Sequence, residues 1–201
     1  MARSDLVTTP HGRCAILELE DHQLAAALAR LPEGERAHAE RLVGSRQREF
    51  VAGRTAMHEL VDTSLAILGD DRGAPILPAG LAGSISHKGT RAAAIIAPAE
   101  AGHVGIDLER AAPPRQDIGR RILTAREHPV TGKDLTRVFS IKEAIYKAID
   151  PIVRRYVGFL EVELHGDTAT VVDPAKLPVA LEIWCIEHAG FWLATARARR
   201  L

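Results

Sequence analysis

An excess of charge of either sign is missing from this chain: 26 Lys and Arg balance 26 Asp and Glu over 201 residues. Without a net positive field there is little to neutralise phosphates along a strand, which argues against a bulk nucleic-acid binder. Cysteine is scarce too. Cys14 and Cys185 lie far apart with no Cys-x-x-Cys, which points to a thiol-containing cytosolic protein and away from a disulfide scaffold. No apolar run approaches the ~18–20 residues of a membrane span, and the N-terminal MARSDLVTTPHGR has no apolar h-region. A cytoplasmic protein without nucleic-acid or membrane partners is expected. What is present, 46% hydrophobic and 26% charged residues, suffices for one compact domain or two small lobes sharing a core.

Along the chain, CAILEL at 14–19 reads as a first strand and Gln23 to Leu31 as a short helix stopped by Pro32. Pro32-Glu33-Gly34-Glu35 opens a second helix to about Val43. Gly44-Ser45 breaks it before a third helix from Arg46 to about Leu68, with Ser45 as its N-cap and Phe50, Met57, Leu60, Val61 and Leu65 facing inward. Arg46, Arg48 and Arg54 fall in its N-terminal half. A helix N-terminus with arginines suits an anion, and a solvated basic face is the plainer alternative. Gly/Pro-rich turns at 70–75 and 78–80 carry Arg72. Ser84 to His87 predicts a short strand, turned by Lys88-Gly89-Thr90 into the apolar Arg91 to Ala97. A turn at Pro98 to Gly102 follows. The 111–131 stretch, with a helical segment near Ile118 to Ile122, is the least informative. Alternating runs at 160–164, 168–172, 180–188 and 191–198 predict an antiparallel meander.

Two stretches concentrate the chemistry. In VGIDLER (Val104 to Arg110) Val104, Ile106 and Leu108 share one face, and Gly105, Asp107 and Glu109 the other. The two carboxylates are about 7 Å apart by strand geometry, beside a glycine that admits a close approach. In VFSIKEAIYKAIDP (Val138 to Pro151) a helical stripe of Phe139, Ala144, Ile145, Ala148 and Ile149 leaves Glu143, Tyr146 and Lys147 off it, and Pro151 ends the pattern. Carboxylates so placed suit a hard cation such as Mg²⁺ better than zinc. Each part also has a plain structural reading: a half-exposed strand, an i,i+4 Glu143–Lys147 pair, and a capping box from Ser140 to Glu143.

Taken together, GSISHKG (Gly83 to Gly89), GIDLE and FSIKEAIYKA closely resemble the 4'-phosphopantetheinyl transferases, in particular the branch serving siderophore, polyketide and nonribosomal peptide synthesis. SRQREFVAGR adds the arginine helix of that family, and the resemblance runs from about Arg46 to about Leu164. It implies an α+β fold of two similar lobes, here 1–100 and 101–201 with a boundary near Pro98 to His103, holding coenzyme A at their junction. It further implies Mg²⁺ on Asp107, Glu109 and Glu143, with Lys147 drawing charge from the phosphoryl group and Glu143 as general base. Arg46 and Arg54 would hold the 3'-phosphate, Arg72 the nucleotide, Ser86 and His87 the phosphates of coenzyme A, and Lys142 a phosphate or the base. Ala74 stands where a basic residue commonly precedes the proline, and Leu77 where an aromatic is common. The partner implied is an apo acyl or peptidyl carrier protein, modified on serine by a monomeric enzyme. A non-catalytic coenzyme A or carrier binder of the same fold, and an unrelated Mg²⁺ phosphohydrolase, are the alternatives.

Overall fold

The computed structural model describes residues 3–127 and 129–201; Met1, Ala2 and His128 lie outside them. In chain order come strands β1 (Arg3–Thr9) and β2 (Gly12–Glu18), then helices α1 (Leu24–Arg30), α2 (Glu33–Ala39) and α3 (Ser45–His58). Strands β3 (Leu81–Lys88), β4 (Arg91–Pro98) and β5 (His103–Arg110) follow. After the short α4 (Gly119–Ile122) and the 22-residue α5 (Gly132–Val153) come β6 (Val162–His165), β7 (Thr168–Val171), β8 (Val179–His188) and β9 (Phe191–Arg200). Helix and sheet are mixed, as an α+β chain requires. Among the described residues no helix is long and apolar enough to cross a membrane.

Period-two alternation stacks the layers. In the antiparallel sheet β1-β2-β4-β3, β4 turns Ala92, Ala94 and Ile96 toward Val51, Ala52 and Met57 of α3. Its other face, Ala93, Ile95 and Ala97, meets Val104, Ile106 and Leu108 of β5 and Phe191 and Leu193 of β9. Those strands belong to a second sheet, β5-β9-β8. Its far face, Ala194, Ala196 and Ala198, packs under Ile141, Ala144, Ile145, Ala148 and Ile149 of α5. The order is therefore helices, sheet, sheet, helix, and each large aliphatic side chain fully buried between layers contributes about 1.5–3 kcal/mol. The edge strands β3 and β5 lie side by side, where the Ser86 Oγ accepts a hydrogen bond from the Leu108 N–H at 3.2 Å.

Several elements differ from the sequence reading. Strand β1 is absent from that reading: it is an edge strand whose central Leu6 is exposed, so it carries no apolar alternation to read. Helix α3 stops at His58, well short of Leu68, and Leu65 is exposed. Past Val61 the Asp62-Thr63-Ser64 cluster competes for the backbone, and the Thr63 Oγ1 accepts from the Leu65 N–H at 3.1 Å. The cap of α3 is Gly44, with Ser45 already helical. The expected four-strand meander is broken: β6 and β7 form their own hairpin, and β5 takes the free edge of β9. The turn joining β8 to β9 is the one expected, with Ala189 and Gly190 both left-handed at φ 47 and 78.

Helix α5 begins at Gly132, so Ser140 lies deep inside it and caps nothing. It also runs through Pro151 to Val153 before Arg154 closes it in the left-handed region. A proline in the last turn sacrifices a single ladder bond, to the carbonyl of Lys147. The close approach at Gly105 is that of α5 itself. A Cβ there would stand 2.0 Å from the Ala144 carbonyl oxygen and 2.8 Å from the Ala148 nitrogen, so only glycine lets the helix backbone rest on β5.

Gly105→Ala is accordingly expected to lower unfolding free energy by about 1–3 kcal/mol or more, read as a drop in the denaturant midpoint. A second expectation concerns His11, which is buried between the sheets with Nδ1 2.8 Å from the Thr195 Oγ1. Burial, reinforced by Arg197 and opposed by Glu182, lowers its pKa from the ordinary 6.5. The unfolded chain then takes up a proton that the folded chain refuses, so stability is lost as pH falls below about 6.5. Thermal midpoints measured from about pH 7.5 to 5.5 should fall less steeply for His11→Gln than for the unaltered protein.

Candidate active site

The seam between β3 and β5, roofed by α5, gathers most of the residues singled out in the sequence. Period two along β5 points Asp107 and Glu109 toward α5. Helical spacing of three and seven residues puts Ser140, Glu143 and Lys147 on the α5 face that looks back. Asp107 is only 5% exposed, and a buried carboxylate needs partners. Its Oδ1 accepts from the Ser86 Oγ of β3 and from the Lys147 Nζ, each at 2.9 Å, and its Oδ2 from the Ser140 Oγ at 2.9 Å. Lys147 also donates to the Ile106 carbonyl at 2.9 Å. Glu109 pairs with Lys88, whose Nζ is 2.6 Å from Oε2.

The remaining charge is crowded. Burial first, then repulsion from Asp107 and Glu109, pushes the Glu143 carboxyl above its ordinary range, with Lys147 pulling the other way. Glu109 is likewise raised by burial and Asp107, and pulled back by Lys88 and Lys147. Three carboxylates thus face two ammonium groups. Among the described residues no group of three or more His, Cys, Asp or Glu is gathered closely enough to hold a metal ion as it stands. The reason is visible in the partners: Ser86, Ser140 and Lys147 take both oxygens of Asp107, and Lys88 takes Glu109. In chemistry the set still suits magnesium, since every donor is a carboxylate oxygen and the raised Glu109 and Glu143 mark negative charge that a hard divalent cation would relieve.

Around this cluster the predicted anion-binding residues divide. His87 stands at the end of β3 with Nδ1 3.7 Å from the Glu49 Oε2 of α3, which brings the arginine helix alongside the cluster. Burial lowers the His87 pKa, Lys147 and Lys88 adding to the effect against Glu49 and Asp107. Arg54 is 7% exposed, its guanidinium 4.7 Å from the Phe50 ring centroid, and its Nε is buried with no hydrogen-bond partner among the described residues. Burial lowers its pKa, and Glu35 offsets this in part. Arg46 is exposed in the first turn of α3, whereas Arg48 is tied to Asp21. Arg72 is engaged by Asp150 of α5, its Nε donating to both carboxylate oxygens at 2.9 and 2.8 Å.

Lys142 is not where the sequence reading put it. Its Nζ is turned into the protein among Glu127 and three backbone carbonyls. Successive helix residues are about 100° apart, so Glu143 can face β5 only if Lys142 does not. Conversely Lys88, Ser140 and Glu49 were missed. Ser140 could have been found from its spacing of three to Glu143 and seven to Lys147, and Lys88 from its place directly after His87.

Two cavities bear on the site. A groove of about 810 Å³ opens beside Lys88 and Glu109 and runs between Pro113, Ile122, Phe139 and Phe159. A larger one of about 1280 Å³ lies between α1 and the end of α3, bounded by Arg13, Arg30, Thr55 and His58. The larger cavity holds none of the clustered carboxylates or lysines. The smaller one reaches the edge of the cluster, at Lys88 and Glu109.

Comparison with known proteins agrees with this geometry. Residues 34–97 match the family described as the 4'-phosphopantetheinyl transferase N-terminal domain, and residues 103–196 match the 4'-phosphopantetheinyl transferase superfamily. 4'-Phosphopantetheinyl transferase Npt of Nocardia iowensis is 32% identical over 161 residues, which cover 70% of this chain and 71% of that protein. 4'-Phosphopantetheinyl transferase PptT of Mycobacterium tuberculosis is 31% identical over 144 residues, 64% of this chain and 62% of that one. Enterobactin synthase component D of Salmonella typhimurium is 36% identical over 147 residues, 66% of this chain and 60% of that one. The match therefore spans less than two thirds of the last two relatives. With both halves of the chain matched and the acidic seam assembled, the chain belongs to the 4'-phosphopantetheinyl transferase superfamily.

Proposed function

We propose that this protein transfers the 4'-phosphopantetheine group of coenzyme A to a serine of an apo acyl or peptidyl carrier protein and releases adenosine 3',5'-bisphosphate. The observation that carries the reading is the convergence of Ser86, His87 and Lys88 of β3, Asp107 and Glu109 of β5, and Glu143 and Lys147 of α5 on one seam. In this reading the chain works as two lobes, 1–100 and 101–201, with coenzyme A between them, as a cytoplasmic monomer needing neither membrane nor nucleic acid. Carriers of siderophore, polyketide or nonribosomal peptide synthesis are the intended partners.

Each residue then has a part. Arg54, buried without an acceptor for its Nε, takes the 3'-phosphate together with the exposed Arg46, since a guanidinium fork matches a phosphate. Arg72 joins the nucleotide end only by sharing itself with Asp150. His87, whose pKa burial lowers, donates to a pyrophosphate oxygen. Asp107, Glu109 and Glu143 would hold magnesium, which when bound supplies a counter-charge to the pyrophosphate. Lys147 lies beside Asp107 and stabilises charge gathering on the phosphoryl oxygens as the bond to the leaving group breaks. Glu143, on the α5 face that looks toward β5, accepts the serine proton.

The test is the mass of an apo carrier protein incubated with this protein, coenzyme A and Mg²⁺, with and without a chelator. A gain of one phosphopantetheine arm that the chelator removes is expected; no gain across several carriers, with coenzyme A still bound, would favour the binding-protein alternative. Glu143→Gln should slow that transfer about 10²–10⁴-fold with the fold unchanged, and a rate close to normal would take the base role from it. Arg54→Ala should weaken coenzyme A by about tenfold or more and its 3'-dephospho analogue far less. Calorimetric titration of both ligands decides this, equal losses counting against the 3'-phosphate assignment.

A further inference from the structure

Two features are left over from the reading above: the 111–131 stretch, which has no role so far, and Lys142, which lies away from the phosphate site. The structure brings them together. Lys142 is 2% exposed, and its Nζ donates to the Ile122 carbonyl at 2.7 Å, the Phe159 carbonyl at 3.0 Å, the Val162 carbonyl at 2.9 Å and the Glu127 Oε2 at 2.7 Å. An ammonium has three protons, so these four acceptors saturate it and leave nothing for a ligand.

Glu127 extends the knot. Its Oε2 accepts from the Thr124 N–H at 2.7 Å and its Oε1 from the Leu164 N–H at 2.8 Å. The Thr124 Oγ1 donates in turn to Glu163 at 2.7 Å. One side chain of α5 thereby ties down the end of α4, the turn at 124–127 and the start of β6. Two places the knot holds also wall the groove beside Glu109: the α4 region through Ile118 and Ile122, and Phe159 just before β6, whose ring lies 5.7 Å from that of Phe139. The groove opens onto Lys88 and Glu109, which in the proposed function makes it the approach for an acceptor serine.

We propose that Lys142 and Glu127 form a positioning pair that holds the 118–127 segment as the wall of this groove and so sets how the carrier protein presents its serine. The inference rests on the transferase reading for its partner but on geometry for the clamp. A buried ion pair is costly to break on one side only, because the surviving charge is left without compensation. The useful variants are therefore Lys142→Met and the double variant Lys142→Met/Glu127→Gln. The double variant removes both charges, while the side-chain amide oxygen introduced by Glu127→Gln can still accept from the Leu164 N–H.

The first measurement is amide hydrogen exchange on the protein alone. In Lys142→Met the Thr124 and Leu164 amides should lose protection while Ile145 and Ala148 in the middle of α5 keep theirs. Loss spread evenly along α5, or no loss at all, would overturn the clamp. The second is steady-state transfer by the double variant: KM for the carrier protein should rise about tenfold or more while KM for coenzyme A stays within about twofold. Equal changes in both constants, or neither, would overturn the positioning role. If the unaltered protein loads no carrier, the transferase reading falls, and the exchange result still decides the clamp on its own.

Discussion

The structure depends on keeping one carboxylate buried. Asp107 is almost out of solvent and carries a charge that hydrocarbon alone would not tolerate. It is accommodated because three side chains from two other elements reach it: β3 brings Ser86, and α5 brings both Ser140 and Lys147. Those hydrogen bonds couple the first sheet, the second sheet and the long helix at one point. Gly105, two residues earlier, makes the arrangement possible by letting the α5 backbone sit on the strand. The constraint that builds the fold at this seam therefore also builds the site.

Around Asp107 the charges are unequal. Lys88 and Lys147 cannot fully offset Asp107, Glu109 and Glu143, and the two glutamates are held above their usual range as a result of burial and this crowding. On α3 Arg54 is buried over Phe50 with an Nε that finds no acceptor among the described residues. In the proposed function, the crowded carboxylates and the buried guanidinium would be complementary halves of a site for a metal-bound polyphosphate. The two halves are linked by the approach of Glu49 to His87.

Neighbouring residues on α5 show how finely the helix divides its labour. Glu143 looks toward β5, and Lys142, about 100° away, is saturated by the 122–127 and 159–162 segments. Two adjacent charged residues thus serve opposite purposes, one crowded with like charge and one fully compensated. Burial and partners separate them where residue type does not.

Sequence by itself determined what short-range periodicity and chemistry can encode. The alternation in VGIDLER, the apolar stripe of α5, the strands on either side of Lys88-Gly89-Thr90 and the family motifs were all legible, because each depends on residues within a turn or a strand of one another. The pairing of β9 with β5 was not, because it joins strands about ninety residues apart; the edge strand β1 was not, because its exposed Leu6 leaves no apolar alternation, and the end of α3 was not, because polar side chains at 62–64 compete for the backbone there. The same division holds in the site. Asp107, Glu109, Glu143 and Lys147 could be named from the family motifs that carry them, yet only the tertiary structure decided that Ser140 and Ser86 hold Asp107, that Arg72 answers to Asp150 and that Lys142 faces away. A charged side chain's role follows from which groups surround it, and those contacts span from 15 to nearly 80 residues of sequence.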